Sequence, residues 1–228
     1  MRTISRRSER KAPYTMTTSS LELASLLCSR LCHDMLSPVG ALSNGLELLA
    51  DENDPEMRQR CFELLDQSAR ISTDKLKFFR LAFGAAGGFG EMVPVSEARA
   101  LVDGLVANNA RIVVNWSLSS DSLPKAAIKI LLNFALFGIE ALPRGGNLDI
   151  AAEFRDGGSE IAVRAGGQRI AFDRDIGRAL EGTLPAGELS SRTAPAAMIN
   201  GLAEEYGGQL QFVLAEDALV LGAVLPGS

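Results

Sequence analysis

His33 is the single histidine among 228 residues, and an aspartate, Asp34, follows it directly. All imidazole chemistry open to the chain therefore sits at one position. A carboxylate beside a histidine can orient the ring, hold the proton of one nitrogen and leave the other nitrogen nucleophilic. Taken alone, the pair also fits a histidine satisfied in a core or at a helix cap. Five residues beyond His33, Pro38 stands inside an apolar pattern that runs on to Leu49. A proline within a helix deletes one backbone hydrogen bond and bends the axis, at a cost of about 3 kcal/mol. We read the bend as tolerated for the shape it gives the histidine face.

Other chemistries fit less well. Cys28, Cys32, Cys61 and His33 add up to a Cys3His zinc set. In an antiparallel hairpin turning near Asn53, however, Cys61 faces the region of Gly45, about 20 Å along the axis from Cys32. The cysteines are read instead as small buried apolar residues, with no metal site. A serine or cysteine hydrolase would use His33 as base, but neither a strand-turn-helix serine elbow nor a suitable third group is present. His-Asp metal phosphohydrolases need several histidines, and this chain has one.

Periodicity supplies the element that carries His33. Cys28, Leu31, Met35, Pro38, Leu42, Gly45 and Leu49 alternate three- and four-residue steps, the seam of a helix packed in a bundle. At about 100° per residue His33 lies roughly 200° from Leu31 and from Met35, so its imidazole points to solvent. Leu26, Ser29, Arg30, Leu36, Ser37 and Gly40 share its face at spacings of three, four and seven. Small and apolar residues with one arginine around a nucleophile suit a docked protein better than a small molecule; a mixed solvated face is the plainer alternative. Asn44 and Glu47, further down the helix, fit either reading.

The helix should start at a Ser19 or Ser20 cap, with Glu22 in its first turn, and run to about Ala50. Asp54, Pro55 and Glu56 then mark a fresh start: cap, first helical position, first-turn acid. A second helix follows, with apolar or small residues at Cys61, Leu64, Leu65, Ser68, Ile71, Leu76, Phe79 and Phe83. A lone hairpin leaves its seam half exposed, so two copies are expected to pair into a four-helix bundle, a homodimer. Gly84-Ala85-Ala86-Gly87-Gly88-Phe89-Gly90 reads as a linker.

Beyond it helices are predicted over 96–108, 125–142 and 192–206. Strands are predicted over 112–116, 148–154, 161–165, 209–215 and 218–225, with a hairpin at Asp156-Gly157-Gly158. The fold class is α+β: a helical hairpin, then a mixed sheet with helices on one face. The divisions expected are a basic flexible tail at 1–19, the hairpin at 20–86 and the sheet domain at 91–228.

Composition, 46% hydrophobic and 22% charged, is that of a soluble globular chain of one or two domains. No apolar run approaches the roughly 20 residues needed to cross a bilayer. The start lacks a signal-peptide core, and three cysteines give no disulfide framework, so a cytoplasmic location is expected. Arg2, Arg6, Arg7, Arg10 and Lys11 make the first residues basic, although the whole chain carries a net charge of −5. The acidic body argues against nucleic acid as a partner, and the tail lacks the apolar periodicity a membrane would need. Met16 is a candidate alternative start.

"RLCHDMLSPVGAL" resembles the phosphoacceptor box of the dimerising domain of sensor histidine kinases: a histidine, an acid, a proline five places on, then small and apolar positions. The later elements, ending in "EEYGGQLQFVLAEDALVLGAVLP", resemble the Bergerat or GHKL ATP-binding domain of the same kinases. Aligned that way, most nucleotide contacts are missing. One asparagine of the N box stands as Asn133, but the magnesium-binding one falls on Phe137. The adenine-binding aspartate falls on Ala165, and the glycine pair on Gly167 and Arg169. The Gly-Leu-Gly-Leu phosphate loop reads Thr193-Ala194-Pro195-Ala196. Pro195 has no N–H for a phosphate, and Thr193 does not adopt glycine conformations cheaply. No ATP binding is expected.

Across residues 20–226, and most specifically in "LCHDMLSP" and "RLAFGA", the chain resembles the ChpT family of histidine phosphotransferases from alphaproteobacterial cell-cycle phosphorelays. The resemblance implies that His33 takes a phosphoryl group from the receiver domain of a hybrid kinase of the CckA type. It would pass the group to response-regulator receivers of the CtrA and CpdR type, docked with help from the ATPase-like domain. Asp34 would orient the imidazole and handle its proton, Arg30 would steady equatorial charge, and the partner receiver would supply Mg2+, leaving no cofactor of the chain's own. Two other readings stay open: a working histidine kinase with an atypical ATP site, and a non-enzymatic dimeric adaptor in which His33 is incidental.

Overall fold

The structure, a computed structural model, describes residues 19–84, 91–107 and 109–227. The expected basic tail except Ser19, and all of the expected linker except Gly84, lie outside these residues.

Helix α1 runs Ser20–Asp51, and Ser19 caps it by accepting a hydrogen bond from the Glu22 N–H at 3.1 Å. Helix α2 runs Pro55–Ala82, capped by Asp54 with Pro55 at its first position. Arg58 closes the turn between them by donating to the Leu49 and Glu52 carbonyls, which α1 itself leaves without partners. The helices approach so closely that a Cβ at Gly45 would come within 2.8 Å of Leu65. Pro38, Gly45 and Cys61 are buried in this seam.

Strand β1 (Met92–Pro94) pairs antiparallel with β3 (Ser122–Pro124). Each is three residues long and ends in proline, too short to show alternation in sequence. Between them lie α3 (Val95–Val106) and β2 (Ile112–Leu118). The main sheet adds β4 (Gly146–Arg155), β5 (Gly158–Gly166), β6 (Gln209–Leu214) and β7 (Ala218–Leu225), in the order β2-β4-β5-β7-β6. Strand β2 is parallel to β4 and the other pairs are antiparallel, the mixed sheet expected. Asp156 and Gly157 both take positive φ, 52° and 80°, the geometry of a two-residue type I′ hairpin.

Helix α4 (Lys125–Glu140) is apolar nearly all round because it is covered nearly all round, by the sheet, α2, α3 and α6 (Ala194–Glu205). Helix α5 (Arg174–Leu180) went unpredicted, since its seven residues lie in a glycine-rich stretch; Asp173 caps it. The core does not stop at the sheet domain. Phe78, Phe79, Leu81 and Ala82 of α2 are buried in one cluster with Ile130, Phe134 and Phe137 of α4 and Leu148, Val163 and Leu221 of the sheet. Phe78 meets Phe79 edge-on with ring centroids 5.7 Å apart, and Phe79 stacks on Phe83.

Candidate functional site

His33 lies in mid α1, and its side chain is 81% exposed, as the periodicity predicts. Its Nδ1 is 3.1 Å from Oδ1 of Asp34. An ionised carboxylate can only accept, so as a hydrogen bond this contact requires the proton on Nδ1, the tautomer that leaves the lone pair on Nε2. The other oxygen of Asp34 accepts from Arg30 Nε at 2.7 Å, and Arg30 Nη2 donates in turn to Glu140 Oε1 at the end of α4. Four side chains thus form a line from the imidazole into the sheet domain.

Arg30 corrects an expectation. The sequence places it on the exposed histidine face, free to steady phosphoryl charge. In the fold the sheet domain covers it, leaving Arg30 8% exposed, with its guanidinium committed to Asp34 and Glu140. Burial by itself would lower its pKa; Glu140 and Asp34 outweigh that and hold it above the usual arginine value. Of the other residues assigned to that face, Ser29, Leu36 and Ser37 are exposed, Leu36 by 70%, while Leu26 and Gly40 are half-buried. A Cβ built on Gly40 would meet nothing within 4 Å, so the surface beside it is open.

Pro38 explains a further contact. A residue at that position would normally donate its N–H to the Asp34 carbonyl one turn back, and proline has none. Lys75 of α2 fills the gap: its Nζ donates to Asp34 O at 2.9 Å. The proline therefore leaves an acceptor beside the histidine, and the second helix satisfies it. That orphaned carbonyl was legible in the sequence, though the donor was not. Glu140 had no local signal, because it reaches the site only through the docking of α4.

The cysteines also differ from expectation. Cys61 is buried, but Cys28 and Cys32 are exposed. Gly45 packs on Leu65, so Cys61 sits even further from Cys32 than the hairpin argument places it. Among the described residues no group of three or more His, Cys, Asp or Glu is arranged to hold a metal ion. Among the described residues no helix is long and apolar enough to cross a membrane.

Most of the positions aligned with nucleotide contacts are packed, while Gly167 is half-buried and Arg169 exposed. Phe137 is 2% and Ala165 1% exposed, both within the core cluster. Asn133 is fully buried and works as a strut, donating to Lys129 O at 2.8 Å and to Ala82 O, with its Oδ1 unpartnered. Thr193 is buried, exchanging hydrogen bonds with Ser190 in the turn before α6, where Pro195 is buried too.

Residues 95–218 match the family model described as the histidine phosphotransferase C-terminal domain. The protein phosphotransferase ChpT of Brucella abortus is 33% identical over 208 residues, a match spanning 91% of this chain and 98% of that relative. The solved structure of a bacterial phosphotransferase superposes with a TM-score of 0.80 at 31% identity, covering 92% of this chain and 98% of the other. The histidine kinase AdeS of Acinetobacter baumannii is 14% identical, with a TM-score of 0.46 over 86% of this chain and 98% of that one.

Proposed function

The chain belongs to the ChpT-type histidine phosphotransferases, protein phosphotransferases of the phosphorelay kind, and from that premise we propose that His33 is the residue that carries the phosphoryl group. The observation that supports this assignment is the exposed imidazole with Nδ1 engaged by Asp34 and Nε2 unobstructed. In the forward step the Nε2 lone pair attacks the phosphorus of an aspartyl phosphate in line. The N–P bond forms, the P–O bond breaks, and its electron pair leaves with the donor's carboxylate. The proton on Nδ1 stays in place, and Asp34 balances the positive charge the ring acquires. Reversal onto a second aspartate completes the relay. Both bonds are labile, so positioning matters more than pKa tuning.

The donor is the receiver domain of a hybrid kinase of the CckA type and the acceptors are receivers of the CtrA and CpdR type, in cell-cycle control; the divalent cation comes with the receiver. Ser29, Leu36, Ser37 and Gly40 form the docking rim, with Leu26 at its edge. Phosphorylation from ATP by this chain is not part of the reading, and the packing of Phe137 and Ala165 supports leaving it out.

Two copies assemble through the hairpin. Leu21, Cys28, Cys32, Met35, Val39, Leu42 and Leu46 follow one another at steps of seven, four, three, four, three and four along α1. Leu21, Val39 and Leu46 are 79%, 46% and 59% exposed on the single chain. Such a stripe is the seam a second hairpin would cover, and it accounts for the exposure of both cysteines.

The test is a transfer assay with a 32P-labelled receiver domain, run beside labelled ATP alone, on the wild-type chain and His33→Gln. Label arriving from the receiver, absent from ATP and lost in the variant, is the expected result. Label arriving from ATP makes the chain a kinase, and label from neither source makes it an adaptor.

A further inference from the structure

We propose that Glu140, the last residue of α4, is a positioning residue for His33: it anchors the Arg30 guanidinium, which holds the Asp34 carboxylate on the imidazole. The inference rests on the reading of His33 as phosphoacceptor and adds to it a task for the sheet domain. Adjacent residues on a helix project about 100° apart and do not ordinarily face each other, so Asp34 has no intrinsic reason to meet His33. Arg30, one turn earlier, is its natural partner. Left alone, a buried guanidinium with a single carboxylate would take both oxygens in a fork. Asp34 would then turn away from the ring.

Glu140 prevents this by satisfying the far side of the fork. Arg30 contacts Asp34 through Nε only, at 2.7 Å, while Nη2 is taken by Glu140. One Asp34 oxygen is thereby spared for His33 Nδ1 at 3.1 Å. Exposure along the line is lowest in its middle: the His33 side chain is 81% exposed, Asp34 16%, Arg30 10% and Glu140 32%. The Arg30–Asp34 contact is shielded from water and the reacting group is not. Screening that would make a surface ion pair negligible is therefore weak here. Lys75, on the Asp34 carbonyl, fixes the backbone of the same residue from the opposite helix.

The consequence is read on the ring. A neutral imidazole in water prefers its proton on Nε2, which would blunt the nucleophile that faces solvent. Asp34 inverts that preference only while it is held. Because the chain has one histidine, a tag-free 15N-labelled protein gives a single imidazole in long-range 1H–15N spectra, and its nitrogen shifts report the tautomer directly.

The experiment compares the full-length wild-type chain with Glu140→Gln, Glu140→Asp, Arg30→Lys, Asp34→Asn and the Glu140→Gln/Asp34→Asn double variant. In the wild type the Nδ1–H form should dominate. Glu140→Gln should shift the ring towards Nε2–H and slow transfer from a labelled receiver by about tenfold to a hundredfold, the usual penalty for a displaced reacting group. Glu140→Asp should restore part of both. Arg30→Lys, which keeps the charge but not the fork, should reproduce the tautomer shift. The double variant should be no slower than Asp34→Asn alone, since both changes act through one contact.

An unchanged tautomer in Glu140→Gln, or rate losses that multiply in the double variant, would overturn the proposal. The spectra need no partner. Should the wild type fail to accept label from any receiver, the phosphotransfer reading falls while the tautomer still decides the role of Glu140.

Discussion

Replacing Lys75 with methionine isolates the contact created by Pro38. The change keeps most of the apolar stem and removes the ammonium that reaches the Asp34 carbonyl at 2.9 Å. A hydrogen bond to a charged group contributes about 1.5–3 kcal/mol when its partner would otherwise be stranded. Lys75 is only half-buried, so water can partly replace it, and a loss of about 1–2 kcal/mol is expected. The diagnostic step is the same substitution in a Pro38→Ala background. There residue 38 regains an N–H and the carbonyl recovers its helical partner, so Lys75→Met should cost no more than about 0.5 kcal/mol. Urea unfolding followed by far-ultraviolet circular dichroism, at one fixed protein concentration, measures all four corners of the cycle. A coupling near 1 kcal/mol supports the account; an equal cost in both backgrounds refutes it, and Lys75 is then merely a surface lysine near the carbonyl.

Lys129 offers a pH-dependent check on α4. Burial, with Lys125 one turn away, holds its ammonium below the usual lysine range. The unfolded chain therefore binds this proton more tightly than the folded one, and stability rises as pH climbs through the folded-state value towards the ordinary one. As the pH is raised towards the ordinary lysine value of about 10.4, the urea midpoint of the wild type should gain on that of Lys129→Met; parallel curves would contradict the assignment. For the assembly, sedimentation of the wild type should give twice the chain mass, and Leu46→Glu should give a folded monomer, since Leu46 is 59% exposed on the single chain. A monomeric wild type, or a variant that still pairs, would refute the stripe as a dimer seam.

Much of the architecture could be read from local chemistry. The Ser19 and Asp54 caps, Pro55 at the start of α2 and the Asp156-Gly157 turn each declared themselves because the residue type answers a backbone need on the spot. The outward direction of His33 followed from helical geometry alone. What could not be read depends on which surface covers which. Arg30 lies three residues before His33, and on an isolated helix it would share the same wet face; only the arrival of α4 with Glu140 buries it. Cys28 fits the apolar seam by spacing, yet of that seam α2 buries Pro38 and Gly45 and leaves Cys28 exposed, as it does Cys32. Strands β1 and β3 are too short to carry a period, and each owes its existence to the other.

The burial of Phe78, Phe79, Leu81 and Ala82 in a core shared with α4 and the sheet has a consequence for kinetics. A chain whose halves swung freely would lose that freedom on engaging a protein across both, and encounters with the halves misaligned would be wasted. Here the last turn of α2 is cemented into the sheet domain, so any visitor to His33 meets both surfaces already in register. Association is then limited by how often the two molecules collide in the right orientation, not by waiting for this one to close. On the relay proposed above, one preformed surface would then serve successive partners, told apart by their residence times.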